Sequence, residues 1–179
     1  MNPAWVLRTA RLVLSPVGWA DLVDIQALKA DPLVFAMMLG GVRTPARAAE
    51  ELADDMAFWA RRGFGMWCLR ETRNGREGSR DAFIGLTGLM DRPDQRGIAL
   101  RFALRAQVQG RGLAREAAGA VLRFGHDTAA LERIIAVARD SNFASRTVLG
   151  GIGMVACGSF IQNGYEMVIY ESRRPSPGV

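Results

Sequence analysis

The amino-acid sequence predicts a single α/β domain, and three observations support that fold class. The chain has 179 residues, the length of one domain that can bury a core. Apolar residues make up 49% of it, which is ordinary for a globular protein. In the second half, strand-like and helix-like segments alternate around a glycine-rich loop. We therefore predict one domain over residues 1–179.

The first half of the chain predicts two helices between strands. A helix is expected over residues 19–30, ended by the Asp31-Pro32 pair. A second helix begins at Thr44-Pro45, a capping residue followed by proline in the first turn. Strands are then predicted over residues 64–71 and 82–90, joined by a polar, glycine-containing turn at 74–80. Apolar residues recur at helical spacing in the second helix at Ala48, Leu52, Met56 and Trp59.

The second half predicts a strand over residues 98–105 and another over 132–138, each followed by a helix. Residues 160–172 are expected to hold at least one more strand, and residues 173–179 are expected to be a frayed tail. Asn142 is a good N-cap for the second of the two helices. The first of them carries an apolar stripe at Leu113, Ala117, Val121 and Phe124.

The loop between the first of these strands and its helix is the strongest functional signal. Gly110 and Gly112 allow a tight turn whose backbone N–H groups point one way, and the helix start adds further unpaired N–H groups. Such a loop suits a diphosphate without any lysine. No Gly-Lys pair exists, which excludes a Walker loop, and Arg115 occupies the place of the third glycine of a dinucleotide fingerprint. The alternative is a plain turn between strand and helix.

Charge and composition exclude several other classes. The net charge is +5, but Lys29 is the only lysine, the arginines are scattered, and no basic run is interleaved with aromatics. Nucleic-acid binding is therefore not predicted. No apolar run is long enough to cross a membrane, and Arg8 and Arg11 interrupt any signal-like stretch. Cys68 and Cys157 have no metal-ligand spacing, so we expect buried structural thiols, no metal and a cytoplasmic protein.

Together these motifs resemble the GNAT acetyltransferase superfamily, which transfers acetyl from acetyl-coenzyme A to an amine. The Gln-x-x-Gly-x-Gly core lies at residues 107–112, and an Asn-x-x-Ser block begins at Asn142 and runs to Met154. This block and the opening segment 9–14 are similar to the branch that contains the ribosomal-protein N-terminal acetyltransferases. The resemblance spans about residues 8 to 172.

The resemblance implies a mixed, mostly antiparallel sheet of six to seven strands, flanked by about four helices, with a splayed strand pair at the cofactor site. Acetyl-CoA would be the co-substrate, and its acceptor would be a peptide N-terminus or a small-molecule amine. Family members are often dimers, so a homodimer is compatible with it. The helices before the central strands would form one wall of the acceptor cleft.

The resemblance also assigns roles to individual residues. The pantetheine arm would lie along the central strand at Phe102, Ala103 and Leu104. Asn142 would face the same arm, and Ser145 would protonate the leaving thiolate, although both residues could equally be ordinary parts of a helix start. The diphosphate would be held by Gln109, Gly110, Arg111, Gly112, Leu113 and Ala114.

Three departures from the family pattern concern the catalytic base and acid. The glutamate that many relatives carry on the central strand aligns with Ala99, and a second carboxylate aligns with Cys157. The tyrosine acid of other branches is not evident either, since Tyr165 and Tyr170 lie in predicted strands. The remaining candidate carboxylates are Asp91, Asp94 and Asp140.

These departures leave alternatives open. An amine of low pKa can attack without a dedicated base if the cleft orients it. A protein that binds acyl-CoA without catalysis is the main alternative to an enzyme. An interaction module without a cofactor is a further one, which the intact glycine loop disfavours.

Overall fold

A computed structural model describes residues 2–38, 40–72 and 82–175. In this part of the chain, five α-helices and eight β-strands alternate, with short 3₁₀ turns at Pro3–Trp5, Trp19–Asp21 and Ala106–Val108. The strands are β1 (Leu7–Arg8), β2 (Leu12–Pro16), β3 (Met66–Glu71), β4 (Ala82–Asp91), β5 (Ile98–Leu104), β6 (Arg133–Arg139), β7 (Val155–Gln162) and β8 (Tyr165–Arg173). The helices are α1 (Leu22–Ala30), α2 (Pro32–Phe35), α3 (Pro45–Arg62), α4 (Leu113–Asp127) and α5 (Phe143–Gly151).

The strands form one sheet in the order β1-β2-β3-β4-β5-β6-β8-β7. All neighbouring strands are antiparallel except β5 and β6, which run parallel and pair only at Ala99 and Ile135. The predicted fold class and the splayed strand pair are both confirmed, with one or two more strands than expected.

The core lies on both faces of this sheet. On one face α4 buries the predicted stripe, including Leu113, Ala117 and Val121. Trp67 on β3 is fully buried, with its ring centroid 4.6 Å from that of Trp59, and its indole N–H donates to the carbonyl of Trp5 at 2.7 Å. Each buried indole thus keeps a hydrogen-bond partner, because Trp59 donates to a β3 carbonyl.

Several predicted boundaries shift in the structure. The helix expected over 19–30 begins as a 3₁₀ turn, and Asp31 caps the short helix α2 through a 2.9 Å bond from the Leu33 N–H. The tail, expected to hold at least one strand, contains two, β7 and β8, the first of which begins earlier, at Val155. The expected fraying from Arg173 is wrong for its first two residues. Arg173 ends β8, and the Arg174 N–H donates to the Glu132 carbonyl. The turn predicted at 74–80 lies outside the described residues.

The two cysteines differ in burial. Cys68 is buried on β3, and this burial raises the pKa of its thiol, as expected of an inert structural residue. Cys157 is exposed on β7, so the expectation of a buried thiol is wrong there. Within the described ranges no helix is both long and apolar enough to cross a bilayer, and no three metal-binding side chains cluster.

Glycine at position 88 allows β3 and β4 to approach closely. A Cβ atom placed there would lie 2.5 Å from the Gly65 carbonyl oxygen and 2.6 Å from the Met66 Cα, so the backbone would have to move. Gly88→Ala should lower the free energy of unfolding by about 1–3 kcal/mol, the usual range for an overpacked interior. Gly158→Ala is the matched control in β7, because its nearest neighbour is 4.0 Å away. Urea denaturation curves that coincide for the two variants would contradict this prediction.

Candidate active site

The splay between β5 and β6 opens a gap at their carboxyl ends. On its other side β5 stays paired with β4 throughout, from Ile98 to Leu104. After Ala99, however, no residue of β5 pairs with β6. The β5 edge at Phe102, Ala103 and Leu104 therefore faces an open space, and its backbone is available to a ligand there.

The glycine loop lies at the same end of the sheet. Gly110 and Gly112 have φ angles of 75° and 76°, a conformation that favours glycine. None of the backbone N–H groups of Gly110, Arg111, Gly112, Leu113, Ala114 and Arg115 donates a hydrogen bond to a described residue. Gly112 caps α4 without a side chain, so the helix end is open. Six unpaired donors and the positive end of a 15-residue helix dipole form an anion site.

Gln109 closes the loop rather than contacting a ligand with its side chain. Its amide nitrogen donates to the Leu104 carbonyl at 3.0 Å, which ties the loop to the end of β5. The Arg111 guanidinium is likewise engaged, because it pairs with Glu71 at the end of β3 and this hydrogen bond raises its pKa. The two side chains therefore shape the loop and leave its backbone N–H groups available.

Glu116 braces the first turn of α4 against the opening segment of the chain. It accepts hydrogen bonds from the Thr9 hydroxyl (2.6 Å), the Arg11 N–H (2.9 Å) and the Arg11 Nε (2.7 Å). Arg11 also donates to the Arg111 carbonyl at 2.9 Å. Burial alone would raise the Glu116 pKa, but these hydrogen bonds outweigh it and lower the pKa. The segment 9–14, which the sequence distinguished only by its similarity to one family branch, thus positions the glycine loop.

The start of α5 carries the Asn-x-x-Ser block on the other side of the gap. The Asn142 side chain accepts from the Ser145 N–H at 3.1 Å, which confirms the predicted cap. Arg146 holds the preceding turn, since it donates to the Asp140 carbonyl and carboxylate and to the Tyr170 hydroxyl. Both Asn142 and Ser145 are half-buried. The Ser145 hydroxyl has no hydrogen-bond partner among the described residues.

The carboxylates suggested by the sequence are all paired with arginines. Asp91 lies 3.6 Å from Arg62, and Asp140 pairs with Arg146 at 2.6 Å. Asp94 accepts from Arg92 at 2.7 Å, and this hydrogen bond is the main reason that its pKa falls to about 2. A carboxylate held in this way is a poor proton acceptor at neutral pH.

The positions that align with family carboxylates are no better placed to act as a base. Ala99 is buried with only a methyl group, and Cys157 is exposed on the outer strand of the sheet. Tyr170 is buried against Arg146, and Tyr165 lies under Arg139, with the guanidinium 3.8 Å from the ring centroid.

A carboxylate that the sequence analysis missed lies on α3. Glu51 accepts from Lys29 and from Arg43, each at 2.7 Å, whereas the carboxylate of Asp55, one turn later, makes no hydrogen bond or ion pair with any described residue. Burial raises the Asp55 pKa to about 6, although the charges of Lys29 and Arg101 lower it. In the sequence Asp55 is one of several acids off the apolar stripe of its helix, and only the tertiary fold distinguishes it.

A shallow groove of about 790 Å³ begins at Gly112 and follows the outer face of α4. It is bounded by the opening segment on one side and by the end of α5 on the other, and none of its lining residues belongs to β5. Its positive charge comes from Arg8, Arg11, Arg115 and Arg123. The groove therefore continues the anion site away from the gap between the strands.

Comparison with known proteins identifies the family that has this combination of splayed strands and glycine loop. The family model described as an acetyltransferase (GNAT) domain matches residues 11–155. The chain belongs to the GNAT acetyltransferase family. The resemblance inferred from the two sequence motifs is thereby confirmed.

Solved GNAT structures superpose over nearly the whole chain. An acetyltransferase from Agrobacterium tumefaciens is 25% identical with a TM-score of 0.79, and the match covers 94% of each chain. The ribosomal-protein-S5-alanine acetyltransferase of Vibrio fischeri is 15% identical with a TM-score of 0.77, covering 94% of this chain and 96% of that one. RimL, a ribosomal L7/L12 acetyltransferase solved with coenzyme A, is 14% identical with a TM-score of 0.75, covering 94% and 97%. The last two share the fold of this GNAT protein.

The network around Glu116 predicts a pH-dependent contribution to stability. Glu116→Ala should lower the free energy of unfolding at pH 7 by about 1–2 kcal/mol, because it removes hydrogen bonds to a charged group. The folded-state pKa of Glu116 is lowered, so its contribution is present above the ordinary glutamate pKa and is lost as the pH falls through the lower, folded value. Wild type and variant should therefore converge in acid.

The control for this prediction is Glu132→Ala, because the Glu132 side chain is 81% exposed and lies 3.7 Å from its partner Arg174. Chemical denaturation at several pH values measures both variants against wild type. A Glu116→Ala penalty that persists unchanged in acid would show that lost packing, rather than the carboxylate, is responsible.

Proposed function

We propose that this GNAT protein is an acetyl-CoA-dependent N-acetyltransferase that transfers acetyl to a primary amine. The observation that carries the proposal is the splay of β5 from β6 beside six unpaired N–H groups. One feature suits an extended chain that carries amides and a thioester, and the other suits a diphosphate. Acetyl-coenzyme A contains both, one after the other along its length.

The cofactor extends from the glycine loop along the open edge of β5. The diphosphate accepts hydrogen bonds from the backbone N–H groups of residues 110–115 and is stabilised by the dipole of α4. The pantetheine arm lies along the β5 edge at Phe102, Ala103 and Leu104, with Asn142 on the opposite side. Arg115 and Arg123 in the groove add positive charge beside the phosphates.

The chemistry is direct attack of the amine on the thioester. A backbone N–H of the β5 edge polarises the thioester carbonyl as negative charge develops on its oxygen. The amine nitrogen forms a bond to the carbonyl carbon, the C–S bond breaks, and its electron pair leaves with sulfur. Ser145 donates the proton that converts this thiolate to the thiol, and it recovers a proton from the nitrogen of the collapsing intermediate.

The acceptor is a peptide N-terminus or a small amine of low pKa. A terminal α-amine has a pKa of about 8 and is partly neutral at physiological pH, whereas a lysine amine near 10.4 is almost fully charged. Asp91, Asp94 and Asp140 are each paired with an arginine. This favours an acceptor amine of low pKa, which loses its proton without a strong general base.

The alternative is an acyl-CoA-binding protein without catalysis, which Ala99 at the family's base position favours. Release of free thiol from acetyl-CoA, measured across a panel of α-amines, polyamines and lysine derivatives, separates the two. Calorimetric binding of acetyl-CoA without thiol release would support the sensor. Binding together with amine-dependent release supports the enzyme.

The cofactor site predicts that a side chain at position 112 obstructs the diphosphate. Gly112→Val should weaken acetyl-CoA binding at least 10-fold, or about 1.4 kcal/mol, because Gly112 has a positive φ and its backbone faces the anion site. Gly164→Val is the control, since Gly164 also has a positive φ with no atom within 4 Å of an added Cβ. Equal affinities for the two variants in calorimetry would place the diphosphate elsewhere.

The proposed role of Ser145 predicts a change in turnover rather than in binding. Ser145→Ala should lower kcat about 10-fold or more while the acetyl-CoA Kd stays within a factor of two or three, because the hydroxyl acts only when charge develops on sulfur. Thr147→Ala, at an exposed position on the same helix, is the control. If single-turnover rates of Ser145→Ala match wild type, Ser145 has no part in the chemical step.

A further inference from the structure

Two unpaired charges of opposite sign lie on the face of the sheet that α1 to α3 cover. Along β5, Leu100 pairs with Leu89, whose side chain lies 2.8 Å from where a Cβ of Gly125 on α4 would be. Residue 100 and its even-numbered neighbours therefore face α4. Since side chains alternate along a strand, Ala99 and Arg101 face the opposite side, toward α3. A proton acceptor missing at Ala99 must come from another element on that side.

Asp55 on α3 is such a residue. It is half-buried, and its carboxylate has neither a hydrogen bond nor an ion pair to the rest of the described chain. Burial disfavours the charge of this carboxylate, and a ligand that brings a positive charge would stabilise it. Glu51, on the same helix, is not available to a cationic ligand in this way, because Lys29 and Arg43 already pair with its carboxylate.

Arg101 is the second unpaired charge. Its side chain is exposed to solvent and makes no hydrogen bond or ion pair with any described residue. The neighbouring cations are already paired, because Arg92 bonds Asp94 and Arg43 bonds Glu51. Surrounding protein and the charge of Arg92 lower the Arg101 pKa, although the charges of Asp55 and Glu51 act in the opposite direction. Arg101 is thus a solvent-accessible cation without an ion-pair partner among the described residues.

We propose that Asp55 takes the proton from the ammonium group of the acceptor and that Arg101 binds an anionic group on the same acceptor. This inference rests on the proposed acetyltransferase function and narrows its substrate class. The acceptor is an amine that also bears a carboxylate or phosphate, either a small amino acid or a peptide with an acidic residue near its N-terminus.

The proton balance is simple. The ammonium group transfers one proton to the Asp55 carboxylate, which leaves a neutral amine. Its lone pair forms the C–N bond, the C–S bond breaks, and a second proton from the nitrogen reaches the sulfur. The products are the amide and coenzyme A as the thiol, and Asp55 then releases its proton to solvent.

The pKa of Asp55 suits this role. Burial raises it to about 6, so the carboxylate is ionised at neutral pH yet binds a proton better than an ordinary aspartate. The charged groups around it are Lys29 on α1, Glu51 and Asp54 on α3, and Arg101 on β5. The kcat/KM for the acceptor should therefore fall as the pH drops through about 6.

The first experiment replaces Asp55 without changing its size. Asp55→Asn should lower kcat/KM for every accepted amine about 100-fold and remove the inflection near pH 6, while the acetyl-CoA Kd is unchanged. Asp55→Glu should recover part of the loss. Asp54→Asn is the matched control, because it removes one negative charge from the adjacent, exposed position of the same helix.

The second experiment tests Arg101 with matched amines. The probes are β-alanine against propylamine, and alanyl-aspartate amide against alanyl-alanine amide. Wild type should prefer the acidic member of one pair, which distinguishes a small acceptor from a peptide. Arg101→Gln should lower kcat/KM for that acidic amine at least 10-fold and for its neutral counterpart less than threefold.

The outcomes separate this inference from the proposed function. An active wild type whose Asp55→Asn variant keeps its rate and pH profile would overturn the role of Asp55 and leave the enzyme assignment intact. Arg101→Gln with unchanged selectivity would overturn the anionic acceptor. A wild type that binds acetyl-CoA and acetylates none of the probes or panel amines would overturn both the enzyme and this inference.

Discussion

The divergence of β5 from β6 after a single residue pair is the constraint on which the rest of the site depends. A fully paired sheet would use every backbone group between the two strands for its own hydrogen bonds. Because pairing stops at Ala99 and Ile135, the β5 edge remains open, and the segments that follow each strand lie at the two sides of the gap. The glycine loop and the Asn-capped turn therefore face each other although about 30 residues separate them.

An open helix end is useful only if the loop before it has a fixed shape. Glu116 fixes the position of the loop by joining Thr9 and Arg11 to the first turn of α4. Gln109 fixes its other end by joining the loop to β5. These contacts use side chains and leave the backbone donors of residues 110–115 unpaired. The site thus separates the groups that hold the loop in place from those that are free to bind an anion.

Local features of the site were predictable from the sequence, whereas long-range ones were not. The glycine turn, the Asn142 cap and the apolar stripe of α4 each depend on residues a few positions apart, and all three are confirmed. The role of Thr9 depends on a residue 107 positions away, and that of Asp55 on its distance from α1 and β5. The prediction that Cys157 is buried was wrong because an edge strand exposes residues that a central strand would bury.

Two acidic residues one turn apart on α3 show why pairing, rather than residue type, separates a structural carboxylate from a reactive one. Burial opposes the charge of both. Lys29 and Arg43 more than offset this for Glu51, whose pKa is lowered, but no cation touches Asp55, whose pKa is raised. On this helix Glu51 joins α1 to α3 through its ion pair with Lys29, whereas the Asp55 carboxylate has no ion-pair partner among the described residues. In a family fold whose usual glutamate position holds Ala99, an acceptor ammonium is the proposed partner of the Asp55 carboxylate.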